Sequence, residues 1–337
     1  MFFFNYLSRN FALFIVLCMS ASLAHAKAIE LKTIAFTVSD LDRSVAFYEQ
    51  AMRFKKVSEQ TIVNHDFDYV TGVFGSRVRS AELQLGNEKI QLNQYLSASG
   101  KAIPIDSRSN DLWFQHFAVV VSDMDKAFAQ LQSVAVTVIS SAPQTIPASN
   151  VGAAGIKAYK FKDPDGHPLE LLYFPAGKGR PTWQGHTDQL FLGIDHTAIT
   201  VADTARSIAF YQDILGFTVA GGGLNTGATQ EQLDNVFGAV VRITGLRPQS
   251  AQSVGLEFLQ YLTPSGGRPA PNDIQSNDLQ HVHIVLQVDN INQLTEELTK
   301  KHVAFISPQA LAVKELQCNQ CLMVKDPDGH AVLLVDQ

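Results

Sequence analysis

Apolar and polar positions along the chain fall into short alternating blocks, and four of these blocks repeat one arrangement. Residues 194–201 are rich in β-branched side chains and read as a strand. His196, Ala198 and Thr200 share one face of it, and Thr197, Ile199 and Val201 share the other, which can pack on a helix. A helix follows at once, capped near Asp203, with Ile208, Tyr211 and Leu215 on one side. Residues 115–121 predict the same strand, with a helix capped near Asp123, and 31–38 and 283–288 supply two further copies. Several short strands follow each helix. The pattern predicts four consecutive β-α-β-β-β modules and an α+β fold.

A larger repeat contains these modules. Arg43-Ser44-Val45-Ala46-Phe47-Tyr48 is echoed by Arg206-Ser207-Ile208-Ala209-Phe210-Tyr211, and Val73-Phe74-Gly75 by Val236-Phe237-Gly238. Asp163-Pro164-Asp165-Gly166-His167 returns as Asp326-Pro327-Asp328-Gly329-His330, and Ser109-Asn110-Asp111-Leu112 as Ser276-Asn277-Asp278-Leu279. Residues 30–175 (modules 1 and 2) and 190–336 (modules 3 and 4) are therefore two copies of one unit, joined by a Gly/Pro-rich linker at 176–189. The Asp-Pro-Asp-Gly segments predict hairpin turns, with Gly in the left-handed position. His167 and His330, in those turns, are expected to face solvent.

Residues 1–26 follow a different pattern. A single charge at Arg9, an apolar run over 11–19 and Ala24-His25-Ala26 have the three parts of a secretory signal peptide, with cleavage expected after Ala26. The apolar run is shorter than the ~18 residues a membrane span requires, so no stable anchor is expected after cleavage. Cys18 is preceded by bulky Leu17, unlike a lipidation site. Export, most simply to a periplasm, changes the reading of the two remaining cysteines. Cys318 and Cys321 are then expected to form a local disulfide, which requires a turn between them. The 337 residues carry 26 Lys+Arg against 32 Asp+Glu, a net charge of −6, and no basic stripe of the kind a nucleic-acid binder shows.

Four such modules with two Asp-Pro-Asp-Gly-His hairpins resemble the vicinal oxygen chelate superfamily, which includes glyoxalase I, bleomycin resistance proteins and extradiol dioxygenases. The resemblance implies two glyoxalase-like domains in which modules pair into cup-shaped sheets. It also implies one divalent metal (Zn, Ni, Mn, Fe or Co), held by side chains from the first and last strands of the modules. Those positions are Thr33 and Gln91 in module 1, His116 and Glu170 in module 2, His196 and Glu257 in module 3, and His283 and Leu333 in module 4. Glu257 lies between Leu256 and Phe258, so it points opposite to them, and a buried carboxylate needs a partner such as a metal.

Two pairings are open. Pairing within each copy assembles His196, Glu257 and His283. Pairing across copies assembles His116, Glu170, His196 and Glu257 in one cup and leaves Thr33, Gln91, His283 and Leu333 as a site without ligands. Loss of one whole site after duplication is the simpler history and favours the second. His281 is either a cavity or a rim residue, and Tyr95 and Tyr261 either line a pocket or fill the core. The resemblance implies a metal-dependent lyase or isomerase acting on a small oxygen-chelating molecule, with Glu170 or Glu257 as base. Its alternatives are a ring-cleaving dioxygenase and a non-enzymatic small-molecule binding or resistance protein. Four modules can complete two cups in one chain, so a monomer is possible.

Overall fold

A computed structural model describes residues 27–134, 136–186 and 188–336. The expected signal segment, 1–26, lies outside the described residues. Among them, no helix is long and apolar enough to cross a membrane. Two nine-stranded mixed sheets account for most of the structure.

The first sheet runs Ala304–Phe305, Cys318–Lys325, Ala331–Asp336, Val282–Val288, Ala28–Thr37, Glu88–Tyr95, Val78–Leu85, Lys55–Ile62, with Leu311–Val313 added beside Cys318–Lys325. The second runs Thr218–Thr226, Val240–Arg247, Gly255–Thr263, Phe191–Thr200, Phe114–Val121, Pro168–Tyr173, Lys157–Lys162, Thr137–Val138, with Gln144–Thr145 beside Lys157–Lys162. Modules 1 and 4 thus form one sheet and modules 2 and 3 the other. At each centre, two first strands meet antiparallel: Ala28–Thr37 with Val282–Val288, and Phe114–Val121 with Phe191–Thr200. The sequence copies, 30–175 and 190–336, each contribute half of both sheets.

The period-two pattern decides what each strand face covers. Ile34, Phe36, Phe117, Val119, Thr197 and Ile199 turn away from the cups, and all but Thr197 belong to one apolar core shared by the two sheets and the helices. Each of the four helices after the first strands has a side-chain cap, at Asp123 and Asp203 as the sequence predicts. Asp40, Asp123, Asp203 and Asn290 each accept a backbone N–H of the first turn. The third, Thr204–Ile208, continues into a wider π-type turn, Ala209–Ile214.

The repeated motifs join the sheets. Tyr48 donates to Asp163 Oδ2 at 3.0 Å, and Arg43 pairs with Asp165, so the module 1 helix grips the module 2 hairpin. Tyr211 with Asp326 and Arg206 with Asp328 repeat the grip between modules 3 and 4. The histidines of these hairpins do not face solvent. His167 is 1% exposed; Nδ1–H reaches Asp163 at 2.8 Å and Nε2–H reaches the Leu279 carbonyl at 2.7 Å. His330 Nδ1 bonds Asp326 at 2.8 Å. The carboxylate beside each imidazole offsets the cost of burying it.

The cysteine geometry also differs from expectation. Cys318 and Cys321 are bonded, with Cα atoms 5.9 Å apart, yet both lie within the strand Cys318–Lys325 and no turn separates them. A pairing irregularity opposite Leu311–Val313 shortens the strand there instead.

Candidate metal centre

The four acceptor side chains of modules 2 and 3 converge at the centre of the second sheet. His116 lies on Phe114–Val121 and His196 on the adjacent Phe191–Thr200, while Glu170 and Glu257 lie on the strands flanking that pair. The two Nε2 atoms are 3.2 Å apart. Glu170 Oε2 is 3.2 Å from His116 Nε2 and 3.9 Å from His196 Nε2, and Glu257 Oε2 is 3.6 Å from His196 Nε2. One ligand atom each from His116, His196 and Glu257 lies within 4.8 Å of the others. They border a cavity of about 440 Å³.

The remaining expected ligands are elsewhere. His283, Thr33, Gln91 and Leu333 belong to the first sheet, so His283 cannot complete a set with His196 and Glu257. That second cup is filled. Leu333 packs with Val285, Met323, Tyr95 and the cystine, leaving about 10 Å³ of space. Thr33 bonds the Lys89 carbonyl, Gln91 bonds Ser80, and His281 and His283 bond each other at 3.0 Å. Burial keeps both of those imidazoles below their ordinary pKa.

Each site imidazole has its Nδ1 engaged. His116 Nδ1 meets Gln115 Oε1, and His196 Nδ1 is 3.0 Å from Asp195 Oδ2. An extra residue in the pairing between Ile194 and His196 brings Asp195 beside the ring. With Nδ1–H donated outward, each Nε2 presents its lone pair to the centre. Two lone pairs and two carboxylates facing one point repel unless a cation or a proton lies between them, and imidazole nitrogen with carboxylate oxygen suits a first-row divalent ion. The residues fit a metal.

Electrostatics support this. Burial opposes charge on His196, but Glu257, Asp195 and Glu170 lift its pKa to about 9, so the carboxylates around it favour positive charge at this point. Burial drives His116 down to about 4. Glu170, which burial alone would raise, is held at about 2 by His116 and Lys160, and burial raises Glu257.

A polar layer that sequence reasoning missed lies behind the cup. Lys160, 2% exposed, donates to Asp234 at 2.6 Å and to Gln115 at 3.2 Å. Asp234 also accepts from Tyr261 and Gln230, each at 2.6 Å, so Tyr261 is a network residue rather than core filling. On the other side Asp195 accepts from Trp183 at 2.6 Å and Arg180 at 3.2 Å, both from the linker. Lys160 stands between Tyr159 and Phe161 on a strand, and a charge at an inward position was the available signal.

The chain matches the model of the Glyoxalase/Bleomycin resistance protein/Dioxygenase superfamily over residues 30–171 and again over 193–334, and it belongs to that superfamily. It resembles glyoxalase I from Zea mays (TM-score 0.60, 16% identity, 92% of this chain and 93% of that one). It also resembles a putative dioxygenase from Bacillus subtilis (TM-score 0.56, 15% identity, 92% and 86%). At these identities the likeness concerns the fold. A 2-epi-5-epi-valiolone epimerase from an Actinomyces species is 27% identical over 156 residues, 44% of this chain and 82% of the relative.

Proposed function

We propose that the cup of modules 2 and 3 is a divalent-metal centre catalysing a lyase or isomerase reaction on a small substrate with two adjacent oxygens. The observation that carries this is the grouping of His116, His196 and Glu257 within 4.8 Å of one another, with Glu170 Oε2 3.2 Å from His116 Nε2 beside them. Kinship with an epimerase supports proton transfer at carbon as the chemistry. A divalent ion bound by the four donors would supply Lewis acidity to the paired oxygens.

The chain's own residues divide the remaining work. Glu170 is fixed: it contacts His116 at 3.2 Å and has Lys160 beside it, which suits a permanent anionic ligand. Glu257 contacts His196 at 3.6 Å, retains 24% side-chain exposure and faces the cavity. It is the carboxylate placed to take a proton from carbon at Oε2 and return it. Gln115 and Asp195 hold the imidazoles, and Lys160 holds Gln115.

Turnover of uncharged α-hydroxyketones should disappear on chelation and return with a divalent ion. Glu257→Gln should retain metal and lose turnover, and wild-type turnover by that variant would remove Glu257 as the base. The protein is proposed to act after export, which Arg9, the apolar run 11–19 and Ala24-His25-Ala26 support. N-terminal sequencing of the periplasmic fraction should begin at Lys27, and a chain retaining Met1 in the cytosol would overturn export.

A further inference from the structure

The walls of the cup specify a charge class for its ligand. One side is apolar, formed by Ile146, Ile156, Leu172 and Phe174 of module 2 facing Ile243 and Leu259 of module 3. Asn150 and Asn225 meet across the opening, with Asn150 Nδ2 donating to Asn225 Oδ1 at 2.8 Å. The mouth beyond them adds about 500 Å³, and every described residue lining it is uncharged.

The charges that do line the cup are already compensated or are negative. Lys160 is the Lys or Arg side chain among the described lining residues, and Asp234 occupies it at 2.6 Å. Asp195 is paired with Arg180 at 3.2 Å and Arg247 at 3.6 Å. Glu170 and Glu257 remain, and a divalent ion would offset those two charges. A charged group on the ligand away from its chelating oxygens would therefore enter a half-apolar cavity whose described lining residues offer it no uncompensated cation, which is costly.

Resting on the metal reading above, we infer that the cup selects an uncharged molecule. Its two adjacent oxygens would lie at the His116–His196 centre and an apolar body along the Ile156 and Ile243 walls. Phosphorylated substrates, acyl-nucleotide thioesters and peptide-thiol adducts carrying free carboxylates are outside this class. Selectivity here comes from the penalty imposed on the wrong ligand as much as from attraction to the right one.

The test uses the full mature protein loaded with Co(II), whose visible spectrum reports ligand exchange at the metal. Two probes share one chelating head: benzohydroxamic acid, and 4-carboxybenzohydroxamic acid, which adds a distal carboxylate. The neutral probe should bind wild-type protein at least about tenfold more tightly than the carboxylated one. Ile243→Lys, which places a cation on the apolar wall, should narrow that gap. Equal or tighter binding of the carboxylated probe to the wild type overturns the inference, as does cobalt-loaded protein that binds neither probe. Metal content measured on the same samples separates the two readings. Protein that takes up no cobalt refutes the metal centre and this inference together, whereas loaded protein that accepts both probes equally refutes this inference alone.

Discussion

Asp163→Asn isolates the contact that fixes the strand carrying Glu170. Asp163 is 4% exposed and accepts four bonds: Asp165 N and His167 N at 2.9 Å, His167 Nδ1 at 2.8 Å and Tyr48 OH at 3.0 Å. Asparagine keeps the shape and can still accept the backbone donors, but it removes the charge facing a buried imidazolium. Breaking a buried pair on one side costs about 3–5 kcal/mol, and the retained backbone bonds place this variant near the lower end, about 3 kcal/mol.

The loss should depend on pH. Burial disfavours charge on His167, yet Asp163 raises its pKa above 6.5, so its stabilisation is complete below 6.5 and fades as pH rises through the folded value. Burial would raise Asp163, but His167 lowers it below 3.8, so its contribution is complete above 3.8 and is lost as pH falls through the folded value. The gap between wild type and variant is therefore widest between 3.8 and 6.5 and contracts in alkali. Urea unfolding followed by tryptophan fluorescence at about pH 5.5 and about pH 9 measures it. A gap that is flat or widens toward pH 9 would refute the assignment of His167 as a buried cation.

Lys160→Met should destabilise by about 3–5 kcal/mol because it strands Asp234, and adding Asp234→Asn should recover much of that loss; an additive double mutant in urea unfolding would dismiss the coupling. Mass-spectrometric metal analysis should give one divalent ion per chain, unchanged in His283→Ala, because Leu333 and its neighbours fill the second cup. Two ions per chain would contradict that occlusion. Cys318→Ala/Cys321→Ala closes no long loop and should cost only about 2 kcal/mol by urea unfolding. It should leave metal content unchanged, since the cystine lies in the other sheet.

Period-two alternation and repeated motifs made most of the architecture legible, because each strand has one face on the shared core. His116, Glu170, His196 and Glu257 were legible for the same reason: a polar residue at an inward strand position conflicts with its apolar neighbours. Pairing was not legible. Both arrangements bury the same alternating faces, and the choice depends on which first strands meet edge to edge, a contact between residues far apart in sequence. Gln115, Asp195 and Lys160 escaped because each acts through a neighbour. The buried hairpin histidines escaped because Phe36, whose ring packs edge-on against His167 at 5.2 Å, and the Leu279 carbonyl that accepts from it lie more than a hundred residues away in sequence.

The sheet connectivity gives the linker at 176–189 an unusual position. His116 and Glu170 precede it and His196 and Glu257 follow it, so the proposed ion is chelated by both halves of the chain at once. Strand pairs Phe114–Val121 with Phe191–Thr200 and Ala28–Thr37 with Val282–Val288 also cross that division. Opening the backbone in the linker would leave two polypeptides stitched together by two antiparallel seams. Neither fragment would own a coordination sphere, and the bound ion would act as a third clasp between them.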